Sequence, residues 1–541
     1  MGLPARLASL WPAWRSEWLV YQDDALVALD KPAWLGTDAG AYAAPSAAGA
    51  DLRARLLAEL AERDAAPAPG LGPAWQLDSA ASGLVLFGRH RAAARALAEQ
   101  LRSGRLERTY LAAVGGAGRT EARSDVGQRV VAQQGSRRLV EILARGPAQP
   151  VRRWLAAQGT PAGADADGGG PPAPRLMLHL CSVALDLPGS GARRVLAAPA
   201  PACFDEWLRC GFPSPLGDDR ALAAALREAG ARRQPIGWRP DTDAFRLVSD
   251  AGDGLPGVTI DRYGEFLVVA LRTEQAIAAK ERILDAADAL GAAGVYLKLP
   301  ARGASQLTAS ETARLCPSRA VRGRDAPDPL RIRESGLSLE VRLGAGLSTG
   351  IFLDQRDNRL RVRELAQGAR VLNLFGYTGG FTVAAAAGGA ANSVTIDTSA
   401  VALAQARRNL RATGADLARH ALVRADVLPW LRRTAPRDER FDLVVLDPPT
   451  YSTTGRSRFR AHEGYGPLAA LALRCLVAGG KLLACTNDRA LGRQKLRTIL
   501  CAAAREAGWG EARLEALPDP LDHAAAPGGE CHMTSMLVTV G

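Results

Sequence analysis

The chain has 541 residues, 47% of them hydrophobic, which is ample for two or three packed domains and excludes disorder of the whole chain. No apolar run approaches the roughly 20 residues a spanning helix needs. In MGLPARLASLWPAWRSEW, Arg6, Trp11 and Arg15 interrupt any secretory pattern, so no membrane partner and a cytoplasmic location are expected. The formal net charge of +12, mostly from arginine, suits a polyanionic partner and equally fits an Ala- and Arg-rich codon bias.

Three regions follow in chain order. Residues 1–210 hold strand-like runs at Leu19–Tyr21, Leu26–Leu29, Leu84–Phe87 and Tyr110–Val114 between turn signals. The stretch TPAGADADGGGPPAP, Thr160 to Pro174, reads as a loop unable to pack a core. Residues 211–345 include RLVSDAGDGLPGVTIDRYGEFLVVAL, a strand, a glycine-rich turn and a strand, then a helix near Glu274–Leu290. This is expected to be a small α+β domain. In residues 346–541 the strands VLNLF, SVTID, HALVRAD, FDLVVLD and GKLLACT alternate with helices. The fold class is therefore α/β, ending in a mostly parallel, doubly wound Rossmann-like sheet. The eight cysteines form no CxxC pair, and Cys531-His532 has no second pair at ligand spacing. Reduced thiols and no metal are expected.

Chemistry concentrates in the third region. VLNLF runs into Gly376-Tyr-Thr-Gly379-Gly380 and then a helix, where glycines let the backbone approach a ligand at the helix N-terminus. The turn is not GxGxxG and is weak alone. Asp397 ends the next strand, where a carboxylate can accept from both ribose hydroxyls. Asp426 ends the third, where it can meet an adenine amine. Each Asp alone fits a helix cap better; three strand ends in register fit a ligand better. Asp447-Pro448-Pro449-Thr450-Tyr451 follows FDLVVL. Two prolines stiffen that loop, leaving the Asp carboxylate and proline carbonyls to face a planar base on which Tyr451 stacks.

STGIFLDQRDNRLRVRE, VLNLFGYTGGFTVAAAAGGA, VTIDTS, RAD and FDLVVLDPPTYS together resemble the RlmI and RlmK types of large-subunit ribosomal RNA methyltransferase. GLPGVTIDRYG and RESGLSLEVRLG resemble the small domain preceding the catalytic one in the RlmI type, and PLDHAAAPGG is loosely similar to that family's end. The resemblance implies S-adenosylmethionine as cofactor. It implies that Thr349, Phe352, Asp354 and Arg356 flank the donor, and that Phe375, Gly376, Thr378, Gly379, Asp397 and Asp426 hold it. RlmI-type enzymes make 5-methylcytosine with a catalytic Cys near the end of the fifth strand, because carbon 5 needs a thiolate added at carbon 6. Here Asn487 occupies that position and Cys485 lies two residues earlier, at the same strand parity. The RlmK type methylates guanine N7, has an Asn-rich segment there, and needs positioning rather than covalent activation. Thr486-Asn487-Asp488 therefore favours a guanine nitrogen, with Asp447, Pro448, Tyr451 and Asn487 holding the base; Cys485 is expected to be a buried apolar thiol.

YQDDALVALDKPAWLGT, WQLDSAASGLVLFGRH, LRSGRLERTYLAAVGG and RLMLHLCSVALDLPG resemble an RluA-type pseudouridine synthase over about residues 18 to 205. This implies an N-terminal α+β domain. The family's His-Arg-Leu-Asp reads Trp75-Gln76-Leu77-Asp78, keeping the nucleophile and losing the Arg that helps extrude the uridine. Tyr110 is kept, and Ala148-Gln149-Pro150-Val151-Arg152 keeps only the family's Arg. An RNA-gripping module with reduced or lost synthase activity is expected. The whole chain then reads as an RNA base methyltransferase. Two alternatives stand beside that reading: a bifunctional methyltransferase and synthase, or a non-catalytic RNA-binding ribosome-assembly factor.

Overall fold

The computed structural model describes residues 7–11, 14–38, 50–64, 70–115, 126–147, 151–165, 167–300, 308–434, 440–454, 457–526, 529 and 532–541. Cys531 and Ala148-Gln149-Pro150 lie outside the described residues. The four strand-like runs near the N-terminus become Leu19–Gln22, Leu26–Lys31, Ser82–Gly88 and Glu107–Val114 of a nine-stranded, mainly antiparallel sheet. Ser82–Gly88 is buried along its whole length because neighbours flank it on both sides. The glycine-rich stretch after Thr160 corrects the loop expectation in one respect. It has no long element, yet Thr160 and Ala162 are fully buried. Ala162 bridges Val114, and the Gly163 amide donates to the Ala113 carbonyl at 2.8 Å. Glycine makes this fit possible, since a Cβ on Gly170 would stand 2.0 Å from the Ala162 carbonyl oxygen.

The middle region forms a five-stranded sheet ordered Ala244–Ser249, Val258–Tyr263, Phe266–Leu271, Gly294–Lys298 and Arg322–Gly323. One apolar cluster runs from Leu26 and Leu84 of the first sheet to Ile260 and Val269 of this one. Trp11 helps to join them: its ring meets Phe245 edge-on at 5.3 Å and its indole donates to the Gly230 carbonyl at 2.8 Å. The hairpin Leu330–Glu334 and Leu337–Val341 packs in a second cluster, with Tyr263, Phe266 and Tyr296 of the middle sheet and with Val371, Val383 and Leu443 of the third region.

The main sheet of the third region has seven strands among the described residues: β1 (Arg370–Leu374), β2 (Asn392–Asp397), β3 (His420–Arg424), β4 (Phe441–Leu446), β5 (Leu476–Thr486), β6 (Ala512–Ala516) and β7 (Thr534–Val540). Their order is β3-β2-β1-β4-β5-β7-β6. The first five are parallel, as the βαβ alternation requires, and β7 and β6 close the edge antiparallel. Leu374 is level with Ile396 and Leu446, and Leu446 with Ala484. The residues after these positions therefore leave the sheet along one edge, beside the point where strand order reverses at β1 and β4. That is where open α/β sheets bind ligands. No described helix is long and apolar enough to cross a membrane, and no three described His, Cys, Asp or Glu side chains converge to hold a metal.

Candidate active site

A cavity of about 440 Å³ opens along that edge. At one end the β1 turn wraps tightly. Phe375 and Tyr377 have φ of 58° and 48°, in the left-handed region that costs a non-glycine residue about 1 kcal/mol or more. Gly376 is obligatory between them, because a Cβ would stand 2.2 Å from the Thr395 methyl. Asp397 helps to hold this strained turn: Oδ2 accepts from the Tyr377 amide and Oδ1 from the Ser399 amide, both at 2.8 Å. It thus clamps the loop and holds the turn before the next helix, which Ser399 caps by accepting from the Ala402 amide. Thr378 Oγ1 donates to the Gly350 carbonyl at 2.6 Å, fastening the turn to the preceding segment. The Phe352 ring, half-exposed, lies 5.5 Å from that of Tyr377. Asp426 Oδ1 caps the next helix at the Leu428 amide, 3.2 Å away.

At the other end stand Asp447, Pro448, Pro449, Thr450 and Asn487. The Thr450 hydroxyl donates to Asn487 Oδ1, tying the proline loop to the end of β5. Burial, then the neighbouring Asp354, push the Asp447 carboxyl up to about 7, against the opposing pull of Gln355 and Arg359. Asp354 Oδ1 is buried and has no hydrogen-bond partner among the described residues.

Of the expected residues, Phe352, Asp354, Phe375, Gly376, Thr378, Asp397, Asp426, Asp447, Pro448 and Asn487 line the cavity. Four others are placed differently. Arg356 is fully buried away from it in a bidentate pair with Asp522, 2.7 and 2.8 Å. Thr349 Oγ1 is hydrogen-bonded to the Tyr263 hydroxyl at 2.9 Å. Gly379, at φ 78°, lies under Ala406 as the helix cap, and Tyr451 stands exposed at the start of a short hairpin outside the lining. The cation that does reach the cavity is Arg359, overlooked in the sequence and held by Glu334 through two 2.6 Å bonds. Its helical spacing of four from Gln355, another lining residue, is the signal that points to it. The parity expectation for Cys485 also changes. β5 ends at Thr486, so alternation stops before Asn487. Cys485 is fully buried behind the cavity, and burial followed by Asp447 pushes its thiol far above the ordinary range.

Among the described lining residues Asp354, Asp397, Asp426 and Asp447 carry carboxyls, and the one cation, Arg359, is already neutralised by Glu334. Such a cavity favours a cationic ligand. S-adenosylmethionine, with its sulfonium, ammonium and ribose hydroxyls, fits this donor set, including the orphaned Asp354 oxygen.

In the first region Asp78 Oδ2 accepts from Arg152 at 3.2 Å and Oδ1 from the Ala80 amide at 2.9 Å. Arg152 also binds Asp165 and Asp167, each at 2.8 Å. Tyr110 is buried, which raises its hydroxyl pKa. Gln76 is exposed and Trp75 buried.

Two family models match: S-adenosylmethionine-dependent methyltransferase over residues 271–531 and RNA pseudouridylate synthase over residues 25–147. Ribosomal RNA large subunit methyltransferase I of Escherichia coli (strain K12) is 34% identical over 338 residues, 59% of this chain and 83% of the relative. A ribosomal RNA large subunit methyltransferase of Deinococcus radiodurans is 36% identical over 325 residues, 59% and 78% of the two chains. Among solved structures, a SAM-dependent methyltransferase from Streptococcus mutans is 25% identical with a TM-score of 0.52, covering 67% of this chain and 89% of its own. With the strand order and the acidic cavity, these similarities place the chain in the ribosomal RNA large subunit methyltransferase I family of S-adenosylmethionine-dependent enzymes, preceded by a pseudouridylate-synthase-type domain.

Proposed function

We propose that this protein methylates a base of large-subunit ribosomal RNA in the cytoplasm, at a guanine nitrogen rather than at cytosine carbon 5. One observation carries the choice of atom: Asn487 lines the cavity while Cys485, two residues earlier, is buried behind it and held protonated. Carbon-5 methylation needs an accessible thiolate; a guanine ring nitrogen brings its own lone pair. When bound, S-adenosylmethionine supplies an electrophilic methyl on a sulfonium. The chain's residues position and screen: Asp354 and Arg359 face the donor's amino-acid end, Asp397 its ribose and Asp426 its adenine. Asp447, the Pro448 carbonyl and Asn487 orient the target base, and Tyr451 stacks on it from the rim. Positive charge shifts toward the base during transfer to a ring nitrogen, and the carboxylates around it favour that shift.

The first region serves in this reading to grip RNA, with synthase chemistry reduced or lost, because Asp78 keeps Arg152 but faces no counterpart of the extruding Arg at Gln76. The test of the methylated atom compares two variants. Cys485→Ala keeps most transfer and Asn487→Ala loses it; trapping of the wild type on 5-fluorocytosine RNA, with transfer abolished in Cys485→Ala, overturns the choice.

A further inference from the structure

A second cavity, of about 580 Å³, lies between the middle sheet and the methyltransferase region. It adjoins the first through single steps of the chain. Asn487 lines the first cavity and Asp488 the second; Met533 lines the first, and His532 and Thr534 the second. These two steps are neighbours, since Thr486 pairs with Thr534 across β5 and β7.

The lining of this second cavity carries three guanidiniums, Arg246, Arg272 and Arg489, against two carboxylates, Asp250 and Asp488. Its acids are already engaged: Asp250 Oδ1 accepts from the Ala251 and Gly257 amides, each at 2.7 Å. Asp488 Oδ1 accepts from the Ala490 amide at 2.9 Å and Oδ2 faces His462 at 3.2 Å. Arg246 is spent on Asp261 at 2.7 Å. The other two guanidiniums form no ion pair within 4.0 Å among the described residues, although Asp261 and Asp250 attract Arg272 from further off. Arg272, at the end of the middle-sheet strand Phe266–Leu271, uses one N–H on Thr259 Oγ1 at 3.0 Å and has no carboxylate partner among the described residues. Arg489, after β5, has no side-chain partner among the described residues. They come from different domains, and both belong to the lining of this one cavity.

We infer that this cavity seats the RNA strand beside the target nucleotide, with Arg272 and Arg489 gripping its phosphodiester backbone. The inference rests on the RNA-methylation reading above. A base drawn into the first cavity past Asn487 leaves its neighbouring phosphates at the wall the two cavities share, where the unspent guanidiniums stand. Two fork-shaped cations suit phosphate oxygens, and a volume within the roughly 300–1,000 Å³ of ligand sites suits a nucleotide. The middle domain thereby supplies one half of the strand's grip, and the methyltransferase domain the other.

The test uses the full-length protein and a labelled single-stranded RNA of about 12 nucleotides, titrated at several salt concentrations. Arg272→Ala/Arg489→Ala is expected to bind about tenfold more weakly and to reduce the steepness of the log-affinity against log-salt line by about 1.4, two contacts at about 0.7 each. Arg272→Lys/Arg489→Lys retains most of the slope. Donor affinity by calorimetry stays within about twofold, since neither residue lines the first cavity. Wild-type protein that does not bind RNA refutes the RNA-methylation reading itself. Wild-type binding with an unchanged slope and affinity in the double Ala variant refutes this cavity alone, as does a loss of donor affinity in that variant with RNA binding intact.

Discussion

Asp78 and Asp447 are both acids expected at reaction centres, one in each end region of the chain. Asp78 has its cation from the chain itself, in Arg152, which two further carboxylates also hold. Asp447 faces Asp354 instead, and its carboxyl is pushed up to about 7. An acid already paired within the fold is electrostatically satisfied. Acids crowded around a cation, Arg359, that is itself paired to Glu334 are unfavourable by themselves, and the arrangement makes sense when a cationic ligand completes it. The contrast distinguishes a retained motif from a site with unmet demand for a partner.

The greatest loss is expected on the Asp447 side. Asp447→Asn lowers methyl transfer by about 100-fold or more, the order lost when a positioned polar group is removed from a reaction centre, measured with labelled donor on ribosomal RNA. The same variant is more stable at pH 8. The folded carboxyl titrates near 7, above its ordinary value of 3.8, so the unfolded state releases its proton first. Wild-type stability from this group is full below about 4 and falls as pH rises to 7, by roughly 1–4 kcal/mol. Thermal melts from pH 5 to 8 check this, and equal pH dependence in wild type and variant breaks the contrast.

Next comes Asp397→Ala, which frees the Tyr377 amide of a strained turn and removes the proposed ribose acceptor. Donor affinity by calorimetry should fall by about 1–3 kcal/mol. On the other side of the contrast, the purified wild type should make little or no pseudouridine on unmodified ribosomal RNA. Asp78→Ala should leave methyl transfer within about twofold. Robust pseudouridine formation that disappears in Asp78→Ala makes the domain a working synthase. Deleting residues 1–210 is a blunter probe than a point variant, because Trp11 and the first sheet share a core with the middle domain. That deletion should impair methylation through RNA binding and stability together, leaving the proposed donor residues, all beyond residue 345, in place. Cys485→Ala, at a fully buried small side chain, should change least. It should cost about 1 kcal/mol of stability or less and keep most transfer.

Much of the donor cavity is legible in the sequence because its residues follow β-strands with clean apolar runs: Phe375, Asp397, Asp426 and Asp447 are each reached by counting along one strand. Pairings between distant segments are not legible. Arg356 and Asp522 are 166 positions apart, and nothing in FLDQR reveals that its Arg points to the tail while Arg359 turns to the cavity. β6, with the half-polar pattern of an edge strand in ARLEA, carries no strong periodic signal, so this edge strand leaves little mark in the sequence. The burial of Ala162 escapes for a related reason: glycine-rich composition describes a flexible chain, whereas here glycine permits close packing.

Nucleoside mass mapping of large-subunit ribosomal RNA methylated by the wild type, Asn487→Ala and Cys485→Ala decides between nitrogen and carbon-5 transfer in one comparison. The expected result is a methylated guanine that persists with Cys485→Ala and is lost with Asn487→Ala. A 5-methylcytosine that disappears with Cys485→Ala contradicts the guanine assignment and the positioning role of Asn487 together.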